Sequence, residues 1–93
     1  MVVALLTIDL FIPGARSLKD KRMVLRRIKD RVGRFNVAVA EVEHQDLWQR
    51  GRLAAVTVSP DKNHAERELQ SVADEVERVE PGLITRTELE FLT

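Results

Sequence analysis

Hydrophobic positions along the chain change period several times, and each change marks a predicted element. Val2–Ile12 is apolar on both of its alternating faces, which is typical of a central strand with both sides partly covered. A proline and a glycine end this strand. A hairpin turn is predicted at Trp48–Gly51, between the second and third strands. The three remaining strand-like runs are Phe35–Leu47, Leu53–Ser59 and Leu83–Leu92.

Two segments instead carry apolar residues at helical spacing. The first helix begins at Ser17, where Ser-Leu-Lys-Asp fits a capping box, and Gly33 is expected to end it as a glycine beyond the last turn. Its apolar stripe comprises Leu18, Val24, Leu25, Ile28 and Val32, with Lys21 in the middle. The second helix is expected to start with mutual capping of Asn63 and Glu66. Its stripe comprises Ala65, Leu69, Val72, Val76 and Val79.

The order of elements is therefore strand, helix, strand, strand, helix, strand, without repeats or a linker. Two strand–helix–strand units with a central hairpin predict a ferredoxin-like α+β fold. That fold is a four-stranded antiparallel sheet with both helices on one face. A chain of 93 residues is expected to form one such domain, spanning residues 1–93.

Composition excludes several classes of function. The chain has no cysteine, so disulfide frameworks, thiol catalysis and thiolate-bound metals are excluded. No apolar run approaches the roughly 20 residues that a membrane span requires. The apolar N-terminus lacks a basic leader and a cleavage site, so we expect a cytoplasmic protein without a membrane partner. Arginine outnumbers lysine eleven to four, which suits a thermophile, although genomic base composition produces the same bias.

The net charge is zero, but its distribution along the chain is uneven. Residues 16–34 carry nine bases and two acids, whereas residues 61–80 carry seven acids and three bases. A basic helix of this kind is typical of proteins that contact phosphates. The predicted nucleic-acid-binding residues are Lys19, Arg22, Arg26, Arg27, Lys29, Arg31 and Arg34.

The alternative is that these bases are merely solvated or pair with the acidic second helix. Glu66, Glu68, Glu75 and Glu77 flank the apolar stripe of that helix, so such pairing is open to them. If RNA binds, base stacking on the sheet is disfavoured, because the third strand has no aromatic residue and Phe11 is the only one on the first. Charge and shape would then give strong salt dependence and little sequence preference.

Lys21 is unusual because a lysine rarely lies in the centre of an apolar stripe. One interpretation is that its stem packs while its ammonium group passes the end of the sheet to reach water. The other is an ion pair with Asp9, Glu41 or Glu43.

No pattern in the chain indicates an enzyme, a metal site or a cofactor. Strand geometry places Glu41 and Glu43 on one face and His44 and Asp46 on the other, so these four groups do not converge. Acylphosphatases share this size and fold and use an arginine and an asparagine, which Arg22 and Asn36 would supply, but the glycine-rich phosphate loop is absent here. We therefore expect no catalytic residue and no small-molecule substrate.

The sheet face opposite the helices is expected to be partly apolar. If Ala4 and its even-numbered neighbours meet the helices, then Val3, Leu5 and Phe11 point to the open side, and Trp48 joins them from the hairpin. An apolar patch of a few hundred Å² usually marks an interaction surface. These four residues are the predicted interface of a homodimer. The alternatives are that the open face binds another protein and that Trp48 packs to anchor the hairpin turn.

Three stretches also resemble a known family. They are SLKDKR at the start of the first helix, FNVAVAEVEHQDLWQR across the second strand, and the closing ITRTELEFL. Together they resemble the YlxP-like family of small uncharacterised bacterial proteins, over nearly the whole chain. The resemblance implies a ferredoxin-like fold. Genes of that family often lie among genes for translation and ribosome maturation, which implies RNA or the ribosome as a partner.

Overall fold

Residues 1–93 form a four-stranded sheet and two helices in a computed structural model. The strand order is β2-β3-β1-β4, and every neighbouring pair is antiparallel. Both helices pack on one face, which confirms the predicted ferredoxin-like fold. The elements in chain order are β1 (Val2–Phe11), α1 (Leu18–Val32), β2 (Ala38–Glu43), β3 (Arg50–Ser59), α2 (Lys62–Val79) and β4 (Ile84–Phe91).

Alternation along β1 and β3 decides which sheet face holds the core. The even-numbered side of β1 is buried, from Ala4 to Ile12. Leu53 and Ala55 of β3 lie on the same side, under the helices. The helices contribute inward residues one turn apart, as amphipathic periodicity requires. These inward residues are Leu25, Ile28, Val32, Ala65, Leu69, Val72 and Val76.

The helix starts are capped by side chains, but not always by the predicted ones. The Ser17 hydroxyl accepts a hydrogen bond from Asp20 N, as expected, whereas the Asp20 carboxylate accepts from Arg16 N. In α2 the predicted capping by Asn63 and Glu66 is wrong, because the carboxylate of Asp61 accepts from His64 N and caps the helix two residues earlier.

The end of α1 also differs from the prediction. Gly33 has φ −62° and donates its N–H to Lys29 O, so it continues the right-handed helix geometry instead of adopting the left-handed one. Among the glycines, the one that adopts a left-handed φ, of 81°, is Gly82, in the turn after α2.

The second strand is much shorter than predicted. On its N-terminal side, the side-chain amide of Asn36 donates to Val58 O, and the backbone N–H of Asn36 donates to the carboxylate of Glu68 on α2. On its C-terminal side, His44 has φ 65°, and its carbonyl accepts from Leu47 N in a tight turn. The predicted hairpin turn at Trp48–Gly51 is therefore wrong: residues 44–49 form the connection, and β3 starts at Arg50.

An irregularity in β2 also separates two acids that alternation had placed together. The pairing with β3 shifts between Glu41 and Glu43, so that Val42 is an extra residue. Such a bulge turns the residues after it to the opposite face. Glu41 faces α1, while Glu43 lies on the open side of the sheet beside Arg52.

Lys21 lies in the core, with 1% of its surface exposed. The interpretation that its ammonium group passes the sheet's end into water is therefore wrong. Its Nζ is 2.7 Å from Glu41 Oε2, whereas Asp9 and Glu43 bind Arg52 instead. Glu41 Oε2 accepts no well-aligned hydrogen bond, so we treat this contact as an ion pair without directed hydrogen bonding.

The same ammonium group also donates to His44 O at 2.5 Å. Lys21 thus joins the first turn of α1 to the edge strand β2 and to the turn that follows it. The lysine stem packs directly beside Gly51, where a Cβ would lie at an ordinary van der Waals distance of 3.6 Å from Lys21 Cε. An uncompensated buried ammonium would cost several kcal/mol, which is why the carboxylate and the carbonyl accompany it.

We expect Asp61→Ala to lower the free energy of unfolding by about 1 kcal/mol, because it removes the cap of α2. Asn63→Ala is the matched control and should change the free energy by less than about 0.5 kcal/mol. Urea unfolding of both variants measures the difference. A larger loss for Asn63→Ala than for Asp61→Ala would show that the capping residue has been wrongly assigned.

Lys21→Met should lower the free energy of unfolding by about 3 kcal/mol, since it leaves Glu41 without its cation and His44 O without its donor. The double variant Lys21→Met/Glu41→Leu should recover most of this loss, because apolar replacement of both partners removes the stranded charge. Arg22→Met, one residue away and exposed, serves as the control. Urea unfolding that shows no recovery in the double variant would contradict the pairing.

Candidate nucleic-acid interface

The bases of α1 fall on two sides of its buried face. Arg27 and Arg31, four residues apart, point towards α2. Arg27 Nη2 lies 2.7 Å from Glu80 Oε1, and Arg31 Nη1 lies 3.8 Å from Glu75 Oε2. On this side of α1, the bases therefore pair with acids of the second helix and its end, which is the alternative that the sequence left open. These two arginines remain about half exposed, so their pairs stabilise the fold only weakly.

The other side of α1 carries what we call the basic stripe: Lys19, Arg22, Arg26 and Lys29. These residues are spaced three, four and three apart, so they lie along one line on the helix surface. None of them forms an ion pair with a carboxylate of the chain. Ten residues of helix separate the ends of the stripe by about 15 Å.

The stripe borders a groove between α1 and the edge strand β2. Arg22, Arg26 and Lys29 line it together with Leu25 and Glu41, and its volume is about 320 Å³. Glu41 is the one acid in this lining, and Lys21 lies 2.7 Å from it on the buried side. Because Lys21 offsets the charge of Glu41, the groove keeps the positive charge of its three remaining bases.

Arg34 is also exposed, but it lies beyond the last turn of α1. Its N–H donates to Arg31 O, and its side chain forms no ion pair. The seven predicted nucleic-acid-binding residues are thus divided: four in the basic stripe, two held by acids of α2, and one at the helix end.

The remaining candidate side chains lie elsewhere. Val3, Leu5 and Phe11 are on the open side of the sheet, and 41% of Phe11 and 52% of Trp48 are exposed. Phe11 and Trp48 line a shallow pocket of about 400 Å³ at the hairpin end, with Leu47 and Arg50. No three histidine or acidic side chains converge as metal ligands would. No helix is long and apolar enough to cross a membrane.

Asn36, the asparagine that an acylphosphatase-like site would need, is engaged in holding the chain. Its side-chain amide donates to Val58 O at 3.0 Å and lies 3.4 Å from Thr57 Oγ1. These bonds fix the segment between α1 and β2 against β3. The amide is therefore engaged in holding the fold.

One charged cluster was not predicted from the sequence. Arg52 on β3 donates to Asp9 on β1 at 2.6 Å and to Glu43 on β2 at 2.8 Å. The hydrogen bond to Asp9, together with the two nearby carboxylates, raises the pKa of the Arg52 guanidinium above its usual value. Alternation placed Asp9 on the open side, but only the strand register shows that the three charges are neighbours.

Comparison with known proteins places the chain in a family and supports the fold. Residues 3–89 match the family model described as "Protein of unknown function (DUF503)". The uncharacterised protein YlxP of Bacillus subtilis is 42% identical over 87 residues, which cover 86% of this chain and 90% of that protein.

Solved structures at low identity share the fold alone. A de novo designed protein with a ferredoxin fold has a TM-score of 0.61 at 13% identity, covering 100% of this chain and 87% of its own. SnoaB, a cofactor-independent oxygenase from Streptomyces nogalater, has a TM-score of 0.57 at 15% identity, covering 100% and 93%. The family match and the YlxP relative confirm the predicted resemblance, and the chain belongs to the DUF503 family of proteins of unknown function.

Proposed function

We propose that this protein is a non-enzymatic binding domain that recognises structured RNA, free or in the ribosome, through the basic stripe of α1. The observation that carries the proposal is the division of charge on that helix. Bases that face α2 are paired with acids, whereas the four bases of the stripe have no partner in the chain. A folded chain with zero net charge thus keeps a local surface free for an anion.

Phosphate spacing suits this surface. Successive phosphates of a strand are several Å apart, so a stripe about 15 Å long spans a few of them. Arginine, which supplies half of the stripe, binds phosphate through two parallel N–H groups. A site that neutralises about four phosphates should give a slope of roughly −3 to −4 in a plot of log affinity against log salt.

The chemistry of the stripe favours recognition of RNA structure over recognition of a particular base sequence. The groove lining holds no aromatic side chain on which a base could stack. Hydrogen bonds from arginine and lysine to phosphates orient a nucleic acid but do not read its bases. We therefore expect duplex or folded RNA to bind with little dependence on base composition.

The competing function is that of a homo-oligomeric structural or regulatory domain without a nucleic-acid role. The observation that favours it is the apolar open side of the sheet, where 52% of Val58 and 41% of Phe11 are exposed. That surface lies on the opposite side of the sheet from the helices, so the two activities do not compete for residues.

Arg22→Glu/Arg26→Glu should weaken binding to a ribosomal RNA hairpin at least tenfold at low salt and reduce the salt slope by about two. Both side chains are exposed and unpaired, so the fold should be retained. Fluorescence anisotropy across a salt series measures both quantities, and co-sedimentation with ribosomal subunits extends the test to the ribosome.

Lys62→Glu/Arg67→Glu provides the matched control, because it makes the same change in net charge at two exposed bases of α2. Its salt slope should equal that of the wild type. Equal losses in the two double variants would mean that only net charge matters. Absence of RNA binding by the wild-type protein at low salt would remove the proposed function altogether.

A further inference from the structure

The open face of the sheet, which we define as the side opposite the helices, has its residues arranged in rows across the strands. One row consists entirely of charges of alternating sign. In the order β2, β3, β1, β4 it reads Glu43, Arg52, Asp9, Arg86. We call it the charged row.

Three rows on one side of the charged row are mainly apolar over the three strands β2, β3 and β1. They are Ala40–Ala54–Thr7, then Ala38–Val56–Leu5, then Val58–Val3. On the edge strand β4, Glu88 and Glu90 extend the first two of these rows. The small side chains at the centre allow close approach of another flat surface.

The charged row is satisfied in its middle and open at its two ends. Arg52 binds Asp9 and Glu43, but the carboxylate of Glu43 remains 54% exposed. At the other end, Arg86 is 71% exposed, and its one acidic partner is Glu88 on the same strand, at 3.5 Å. A largely exposed negative end and a largely exposed positive end thus lie at opposite edges of one sheet.

We propose that a second copy of the chain covers this face, related by a twofold axis that lies above the open face, parallel to the strands and over the line between β1 and β3. Rotation about that axis reverses the order of each row. The sequence − + − + then faces + − + −, so that Glu43 meets Arg86 of the second copy and Arg52 meets its Asp9. The row is self-complementary, as a twofold interface requires.

The same rotation matches the apolar rows. Val56 faces Leu5 of the second copy, and Val58 faces its Val3. Sheets packed face to face in this manner lie about 10 Å apart, with side chains of the inner faces forming the contact. The acids of β4 fall opposite Ala40 and Ala38, at the rim, where their carboxylates stay in water.

The row beyond the charged one also finds a partner. Phe11 pairs with Arg50 across β1 and β3. After rotation the guanidinium of each Arg50 lies over the face of the partner copy's Phe11, where a cation–π contact is favourable. The exposed Trp48 lies in the same pocket lining and extends the interface at this end.

A twofold axis parallel to the sheet but perpendicular to the strands is disfavoured. It inverts the order of the rows, so that charged residues of one copy face apolar residues of the other or, where the axis crosses the charged row, identical charges. Burying unpaired charges against valines costs several kcal/mol. Charge pattern therefore selects one axis, and it leaves the basic stripe of each copy on the outside of the dimer.

Two single charge reversals test the proposed contact. Glu43→Arg and Arg86→Glu should each weaken dimerisation at least tenfold, because each places like charges together at two symmetric positions. An equimolar mixture of the two variants should dimerise as the wild type does, since the heterodimer restores opposite charges at both positions. Sedimentation velocity between 1 and 100 µM, with circular dichroism to verify folding, gives the masses.

Within one chain the two residues lie at opposite edges of the sheet, three strand spacings or about 14 Å apart. Recovery in the mixture therefore cannot arise from a contact inside one protomer. Glu66→Arg, on the exposed side of α2, is the matched control and should leave the mass unchanged. Leu5→Glu, which places a carboxylate opposite Val56 of the second copy, should give a folded monomer.

Three outcomes would overturn the proposal. The first is a wild-type mass near one chain of 10.6 kDa at 100 µM. The second is a mixture that dimerises no better than its separate components. The third is a Leu5→Glu variant that folds and still dimerises like the wild type. If a charge-reversal variant fails to fold, the wild-type mass and Leu5→Glu still decide the matter.

Discussion

Two helices can cover only one face of a four-stranded sheet, and the rest of this structure follows from that coverage. The helices take the even-numbered side of β1 and exclude water from it. Burial of apolar surface on that side stabilises the folded state by about 25 cal/mol per Å². The opposite side is left with valines, Leu5 and Ala54 on its central strands and receives no covering element of the same chain.

The pair of buried Lys21 and partly buried Glu41 brings charge into a mainly apolar core, and it connects local packing to the candidate interface. Lys21 ties α1 to the edge strand and to the carbonyl of His44, whose left-handed backbone closes the turn. The same contact offsets the charge of Glu41. A groove that would otherwise present a carboxylate to an approaching phosphate is left with the charge of the basic stripe.

The two interpretations of the basic helix each describe one of its sides. Towards α2, acids lie within reach, and Arg27 and Arg31 are held by them. Towards β2, the edge strand offers Glu41, but this acid is held by Lys21. Division of the charge therefore depends on which neighbour each side meets, a property of the assembled fold and not of α1 alone.

The sequence by itself determined the fold class, the order of elements and most inward residues. The reason is that the two-residue period of a strand and the 3.6-residue period of a helix are visible directly in the positions of the apolar residues. The sequence also determined that the helical bases other than Lys21 lie off the buried stripe. Alternation along β2 failed at the bulge, because one extra residue reverses every later side chain. For that reason Glu41 and Glu43, predicted to share a face, have different partners.

The cap of α2 was misplaced by two residues for a related reason: several side chains near a helix start can accept a backbone N–H, and local backbone geometry selects Asp61. Tertiary structure alone decided the partner of Lys21, the division of the basic helix and the charged row on the open face. Each of these depends on strand register or helix placement, which bring together residues that are distant in the chain. Periodicity assigns a residue to a face, but only the assembled sheet determines which residues on that face are neighbours.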